Sequence, residues 1–201
     1  MHRRGISSGL RGAASVAALL AMACGGESTG PSGVARAALL ALARLDTVPP
    51  QPAVFAVRND RLSTQTVRFT DAERTLFLEF QFTPFSLASV DGRLVCDTCT
   101  VNVTVNPTDG VFGFTLGPPG LVFRTSSTPT VTVSYARYAD FSVRDSSARY
   151  PDQAAFAQAL DIWRERAPDR WVMARGSGPS GTDRLAAGVD EPGAYLVAAP
   201  K

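Results

Sequence analysis

Cys96 and Cys99 lie three residues apart in "LVCDTCTV", a spacing that serves a redox dithiol, half of a zinc site or a structural disulfide. A redox pair of this kind sits where a strand runs into a helix, whereas here a second β-run, "TVNVTVNP", follows directly. A zinc site needs two further Cys or His ligands. The rest of the chain offers only Cys24 and His2, and the mature chain expected below has lost His2 and holds Cys24 as its lipid anchor. No metal is therefore expected, and the pair predicts a disulfide, with free or exchangeable thiols as the alternative. In extended strand, residues three apart are too distant for a bridge, whose Cα atoms must lie within about 7 Å. Cys96-Asp97-Thr98-Cys99 must then form a tight turn or bulge. Closing so short a loop contributes only about 2 kcal/mol in the chain-entropy picture.

The acids and aromatics admit weaker chemistry. Glu79, Asp140, Asp145 and Asp161 are the carboxylates a small hydrolase would draw on, and a glycosidase would need two of them about 5–9 Å apart in a cleft. Most of them fit solvent-facing strand or turn positions, so no residue is assigned a catalytic role and no cofactor is expected. Trp163 and Trp171 are a possible sugar-stacking platform. On a small sandwich, tryptophan more commonly serves core or rim packing. Asp109 in "NPTDG" has the oxygen chemistry of a calcium ligand, but without a second clustered carboxylate the segment reads as a turn with Gly110 at positive φ.

Short β-runs must position these groups. "AVFAVRND", "TQTVRFTD", "TLFLEFQF", "CTVNVTVNP", "VFGFTLGP", "LVFRTS" and "TVTVSYARY" are rich in Val, Phe and Thr and separated by Asp-Gly, Pro-Pro-Gly or Ser-Thr clusters. Such spacing predicts a mainly β chain folded as a single antiparallel β-sandwich of immunoglobulin-like architecture. In "TLFLEFQF", Leu76, Leu78, Phe80 and Phe82 would face the core, with Phe77, Glu79 and Gln81 opposite. A short helix is predicted near 152–159, and "RLAAGVDEPGAYLVAAP" reads as a closing hairpin turned at Glu191-Pro192-Gly193. "LDIWRERAPDRWVMAR" reads as a hairpin through "RAPD" that sets Trp163 beside Trp171, with a helix to Arg166 as the alternative, because Pro168 interrupts the run. Ahead of the sandwich, "VARAALLALARLD", residues 34–46, predicts a short N-terminal helix that Pro49 and Pro50 stop. Lys201 is the only lysine among 20 basic residues, and with 18 acidic residues the net charge is +2, which gives no case for nucleic acid.

The start of the chain carries an address. Arg3, Arg4 and Arg11 precede "AASVAALLAMA", an uncharged stretch ending in small residues, as in a secretory signal peptide. That stretch is shorter than the roughly 20 apolar residues a membrane span requires. Leu20-Ala21-Met22-Ala23 followed by Cys24 and then glycines resembles the signal of bacterial lipoproteins, with Ala21 where a larger aliphatic residue is usual. The resemblance implies cleavage before Cys24, lipid attachment to its sulfur, and a location in the bacterial cell envelope on the periplasmic or surface face of a membrane. A plain secreted protein cleaved after Ala21-Met22-Ala23 is the alternative. Either cleavage discards His2, the only histidine, and with it Ser-His-Asp and Cys-His catalysis. The predicted order is thus a signal peptide at 1–23, a flexible tether at 24–33, a helical and proline-rich linker at 34–50, and a β-domain at 54–201. The nine-residue spacer "GGESTGPSG" would span roughly 15–18 Å as a random coil.

Within the β-domain, "FTPFSLASVDG", "CTVNVTVNP", "TLGPPGLVF", "TVTVSYA", "LDIWRE", "DRW" and "PGAYLV" resemble the β-sandwich domain shared by netrin receptors, ankyrins and tight-junction scaffolds, also found in bacterial envelope lipoproteins. Phe85 stands where that pattern has a turn glycine. The resemblance covers about residues 65–199 and implies a binding or structural module without catalytic residues, and so not an enzyme. The expected function is a lipid-anchored envelope protein that binds an envelope protein partner or supports structure. The alternative is a carbohydrate-binding module or small carboxylate-dependent hydrolase in the same place.

Overall fold

All seven period-two runs become strands. In the computed structural model, which describes residues 33–45 and 47–201, a 3-10 turn at Arg36–Ala38 leads into β1 (Leu39–Ala41), β2 (Ala43–Arg44), β3 (Ala53–Arg58), β4 (Ser63–Arg68) and β5 (Leu76–Phe82). There follow β6 (Leu87–Val90), β7 (Arg93–Leu94), β8 (Thr100–Pro107), β9 (Gly113–Gly117), β10 (Leu121–Phe123), β11 (Thr130–Ser134) and β12 (Ala139–Asp140). After a second 3-10 segment at Phe141–Ser146 come α1 (Gln153–Gln158), β13 (Asp161–Ala167), β14 (Arg170–Met173), β15 (Gly178–Pro179), β16 (Arg184–Gly188) and β17 (Gly193–Pro200). The 1–23 leader, Cys24 and all of the tether but Gly33 lie outside the described residues. No described helix is long and apolar enough to cross a membrane.

The protein is mainly β and every strand pairing is antiparallel. One seven-stranded sheet runs β14-β13-β17-β9-β8-β3 with β1 also paired to β17, and a five-stranded sheet runs β15-β16-β11-β5-β4. Phe55, Val103, Phe114 and Tyr195 from the first sheet share a buried cluster with Val67, Leu78, Phe80, Val131 and Leu185 from the second. Phe80 links the two, with its ring centroid 6.3 Å from that of Phe55 and 5.4 Å from that of Phe114. The expectation of one single sandwich needs correction, because a three-stranded sheet β10-β6-β7 and a two-stranded sheet β12-β2 are built as well. The strands of both are short, and those of the three-stranded sheet are bounded by the Asp91-Gly92 and Pro118-Pro119-Gly120 turns.

The helix predicted over 34–46 does not form across its described residues, 34–45. Only the Arg36–Ala38 turn is helical, and Leu39 to Ala41 pair in register with Pro200 to Ala198. Helix propensity in this Ala- and Leu-rich run is overridden by burial on both faces. Leu40 and Leu42 join the main core, while Leu39 and Ala41 join a second cluster with Trp163, Trp171, Leu196 and Ala198. A strand buried on both sides shows no alternation and resembles a buried helix in sequence. The described residues form one compact unit that ends at Lys201, so the folded part includes β1 and β2 as well as the predicted 54–201.

Three other local expectations divide. The short helix near 152–159 is present as α1, where Asp152 accepts a hydrogen bond from Ala155 N at 2.8 Å and caps the first turn. The "RAPD" hairpin is also present, with Trp163 opposite Met173 and Glu165 opposite Trp171. The closing hairpin at Glu191-Pro192-Gly193 is instead an arch between sheets, since β16 pairs with β11 and β17 with β9 and β13. Buried Tyr195 fixes this arch by donating its hydroxyl to Glu191 O at 2.6 Å, the geometry of a tyrosine corner.

Candidate functional site

The Cys96–Cys99 turn lies beside a groove. Their sulfurs form the predicted disulfide, with the Cα atoms 5.0 Å apart. Cys99 N donates to Cys96 O at 3.1 Å, so the four residues form a turn between β7 and β8 and not regular strand. Cys96 is exposed, whereas Cys99 is half-buried and packs against the main core. Beside the turn lies an open cavity of about 530 Å³ lined by Val90, Asp91, Arg93, Leu94, Val95 and Cys99 among others. Leu94 is 89% exposed, the most exposed large apolar side chain among the described residues.

A buried polar residue holds this turn from beneath. Asn59, 1% exposed, accepts a hydrogen bond from Leu87 N at 3.0 Å and donates through Nδ2 to Leu87 O at 3.2 Å and Cys96 O at 3.4 Å. Its backbone N donates to Cys99 O at 2.9 Å, and its carbonyl accepts from Phe85 N at 2.6 Å. One side chain and its own peptide groups thus tie the β3–β4 connection to the 85–87 segment and to both cysteines. Sequence reading missed Asn59, since nothing in "VRNDRL" distinguishes a buried asparagine from an ordinary turn residue.

Trp163 and Trp171 come together, but inside the protein. They are 7% and 8% exposed, and Trp163 Nε1 donates to Ala198 O at 3.0 Å. The possible ligand platform is therefore corrected to a packing cluster, because Leu39 and Ala41 of β1 pack with both tryptophans. Val34 exchanges two 2.8 Å backbone hydrogen bonds with Trp171, and Arg36 N donates to Asp169 Oδ1 at 2.9 Å. This segment also pairs the outer edge of β14, which would otherwise present open backbone groups.

Of the four singled-out carboxylates, Asp140 and Asp145 line one hollow, while Glu79 and Asp161 lie elsewhere. Glu79 is half-buried on β5, opposite Thr66 on one side and Thr132 on the other. Asp140 accepts from Ser142 N at 2.9 Å, and that backbone hydrogen bond is the main reason its carboxyl lies below the ordinary range. Asp145 pairs with Arg144 at 3.5 Å and, with Asp140, lines a shallow hollow of about 560 Å³. Asp161 accepts from Ser177 Oγ at 2.9 Å, and burial pushes its carboxyl up against that hydrogen bond. Asp109 is exposed in the β8–β9 turn, with Gly110 at φ 69° as expected. Among the described residues no group of three or more His, Cys, Asp or Glu side chains is placed to hold a metal ion.

One firmly anchored acid was only half legible in the sequence. Asp71 accepts from Thr75 N at 2.8 Å, from the Thr75 hydroxyl and from Tyr138 OH at 2.9 Å, with Arg137 3.7 Å away. Burial works to raise its carboxyl, but the Thr75, Tyr138 and Arg137 contacts prevail and hold it below the usual carboxylate range. Tyr138 also packs against Phe69 in a tilted pair with ring centroids 4.4 Å apart, so the cluster pins the β4–β5 turn to the segment after β11. "TDAERT" gives the Asx-turn signal, while its tyrosine partner lies 67 residues away.

Comparison with protein-family profiles, curated proteins and solved structures finds no match to this chain.

Proposed function

We propose that this chain is a lipid-anchored protein of the bacterial cell envelope, attached through Cys24, whose β-domain acts as a non-catalytic binding or structural module. The observation that carries the reading is the pairing of Cys96 with Cys99. Of three cysteines, two are thereby joined, and the third stands at the position where the leader resembles a lipoprotein signal. A closed disulfide suits an oxidising compartment. Phe85 lends support to the resemblance with the receptor and scaffold domain, since its φ of 60° is the conformation that a turn glycine supplies without steric cost. The tether would let the domain stand just off the membrane, where a partner protein of the envelope could reach it.

Fractionation of bacteria expressing the full chain tests the anchor. The unaltered protein is expected with the membranes and to require detergent for release, and Cys24→Ala is expected in the soluble fraction or uncleaved. Membrane association of a cleaved Cys24→Ala protein would contradict the reading.

A further inference from the structure

We propose that the Cys96–Cys99 turn is a thiol–disulfide exchange site, in which Cys96 carries the mixed disulfide with an external thiol and Cys99 is the resolving thiol. This goes beyond the anchoring reading and stands or falls apart from it, because it uses neither Cys24 nor the membrane. The first support is the difference between the two sulfurs. Cys96 is exposed and open to an incoming thiolate, whereas Cys99 packs on the core and lines the neighbouring groove. Access selects the sulfur that is attacked.

The second support is that the turn does not depend on the S–S bond for its shape. Asn59 N to Cys99 O, Asn59 Nδ2 to Cys96 O, Cys99 N to Cys96 O and Val95 N to Ala88 O at 2.9 Å all hold it without the sulfurs. A reduced pair would stay side by side, ready to close again. The Thr98 hydroxyl lies 3.8 Å from Cys96 Sγ and can donate to a thiolate formed there.

The chemistry balances with a low-molecular-weight or peptide thiol as co-reactant. Its thiolate attacks Cys96 Sγ, the S–S bond breaks, and the electron pair leaves on Cys99 as thiolate. A second thiolate then attacks the external sulfur of the mixed disulfide, forming the external disulfide and releasing Cys96 as thiolate. Two external thiols are oxidised, the protein disulfide is reduced, and both protein thiolates take protons from solvent. In the other direction Cys96 attacks an external disulfide and Cys99 expels the bound thiol.

The test uses the full chain carrying Cys24→Ala, folded, with reduced glutathione as the probe and rapid alkylation as the quench. Fragment-ion mass spectrometry is expected to place glutathione on Cys96 and the alkyl group on Cys99. With oxidised glutathione, Cys99→Ser should accumulate the adduct about tenfold faster than Cys96→Ser, following thiol exposure. The near-ultraviolet circular dichroism of the reduced protein should keep its native form. Glutathione found mainly on Cys99, exchange that begins only in denaturant, or loss of the native spectrum on reduction would each overturn the proposal. Should either serine variant fail to fold, the adduct position in the two-cysteine protein decides alone.

Discussion

Asp71 and Asp161 are each held by a neighbouring hydroxyl, yet they respond to pH in opposite directions. Asp71 has a depressed folded-state pKa, so its contribution to stability is complete above the unfolded value of 3.8 and is lost as pH falls through the lower folded value. Asp71→Asn should therefore lower the melting temperature at pH 7, with the gap to the unaltered protein narrowing under acid. Asp161 is raised by burial, so the folded state binds the proton more tightly than the unfolded one and stability declines as pH rises from 3.8 through the folded value. Asp161→Asn keeps an acceptor for Ser177 Oγ and removes the buried charge. It should match or exceed the unaltered protein at pH 7 and lose that advantage below pH 3.8. Thermal melts across the acid range, compared between the two variants, check both signs. At Tyr195, replacement by Phe removes the hydroxyl that reaches Glu191 O. That change should cost about 0.5–1.5 kcal/mol in denaturant titrations, because a part-buried hydrogen bond is lost.

At the scale of elements, β1 carries the sharpest expectation. Leu42, fully buried in the main core just after β1, should cost about 2–5 kcal/mol when changed to Ala, measured by urea unfolding. A value under 0.5 kcal/mol, the range of surface substitutions, would indicate that this segment does not belong to the sheet assembly. The same element shows where sequence reading stops. "TLFLEFQF" was legible because its alternation matches a sheet with one core face, and Leu78, Phe80 and Phe82 are buried as expected. Even there Phe77, on the opposite face, is fully buried, because Phe69 and Phe112 pack on it and the Arg44 guanidinium lies 5.6 Å over its ring. Leu39 to Leu42 were not legible as strand, since partners on both faces erase the period. Glu191-Pro192-Gly193 marks a change of direction, but whether the chain returns in the same sheet or crosses to the other depends on which strands accept β17. The two tryptophans were rightly placed on one hairpin. Their burial was not readable, because the residues that cover them come from the far end of the described chain.

The whole molecule joins a β-domain held by two large sheets to a leader that resembles a lipoprotein signal. The candidate site was legible in part, since the tight turn at Cys96–Cys99 follows from cysteine spacing and disulfide reach alone. Asn59 and the groove beside Cys99 were not, because they arise where the β3–β4 connection meets β6 and β7. At the other end of the described chain, Val34 pairs with Trp171 on the edge of β14. The most direct measurement is the intact mass of the mature protein, extracted in detergent from bacteria that express the full chain. The account predicts a polypeptide that begins at Cys24 and carries fatty acyl mass on that residue, with Cys96 and Cys99 two hydrogens lighter than the dithiol. A mature chain that begins elsewhere, or one that begins at an unmodified Cys24, would contradict it.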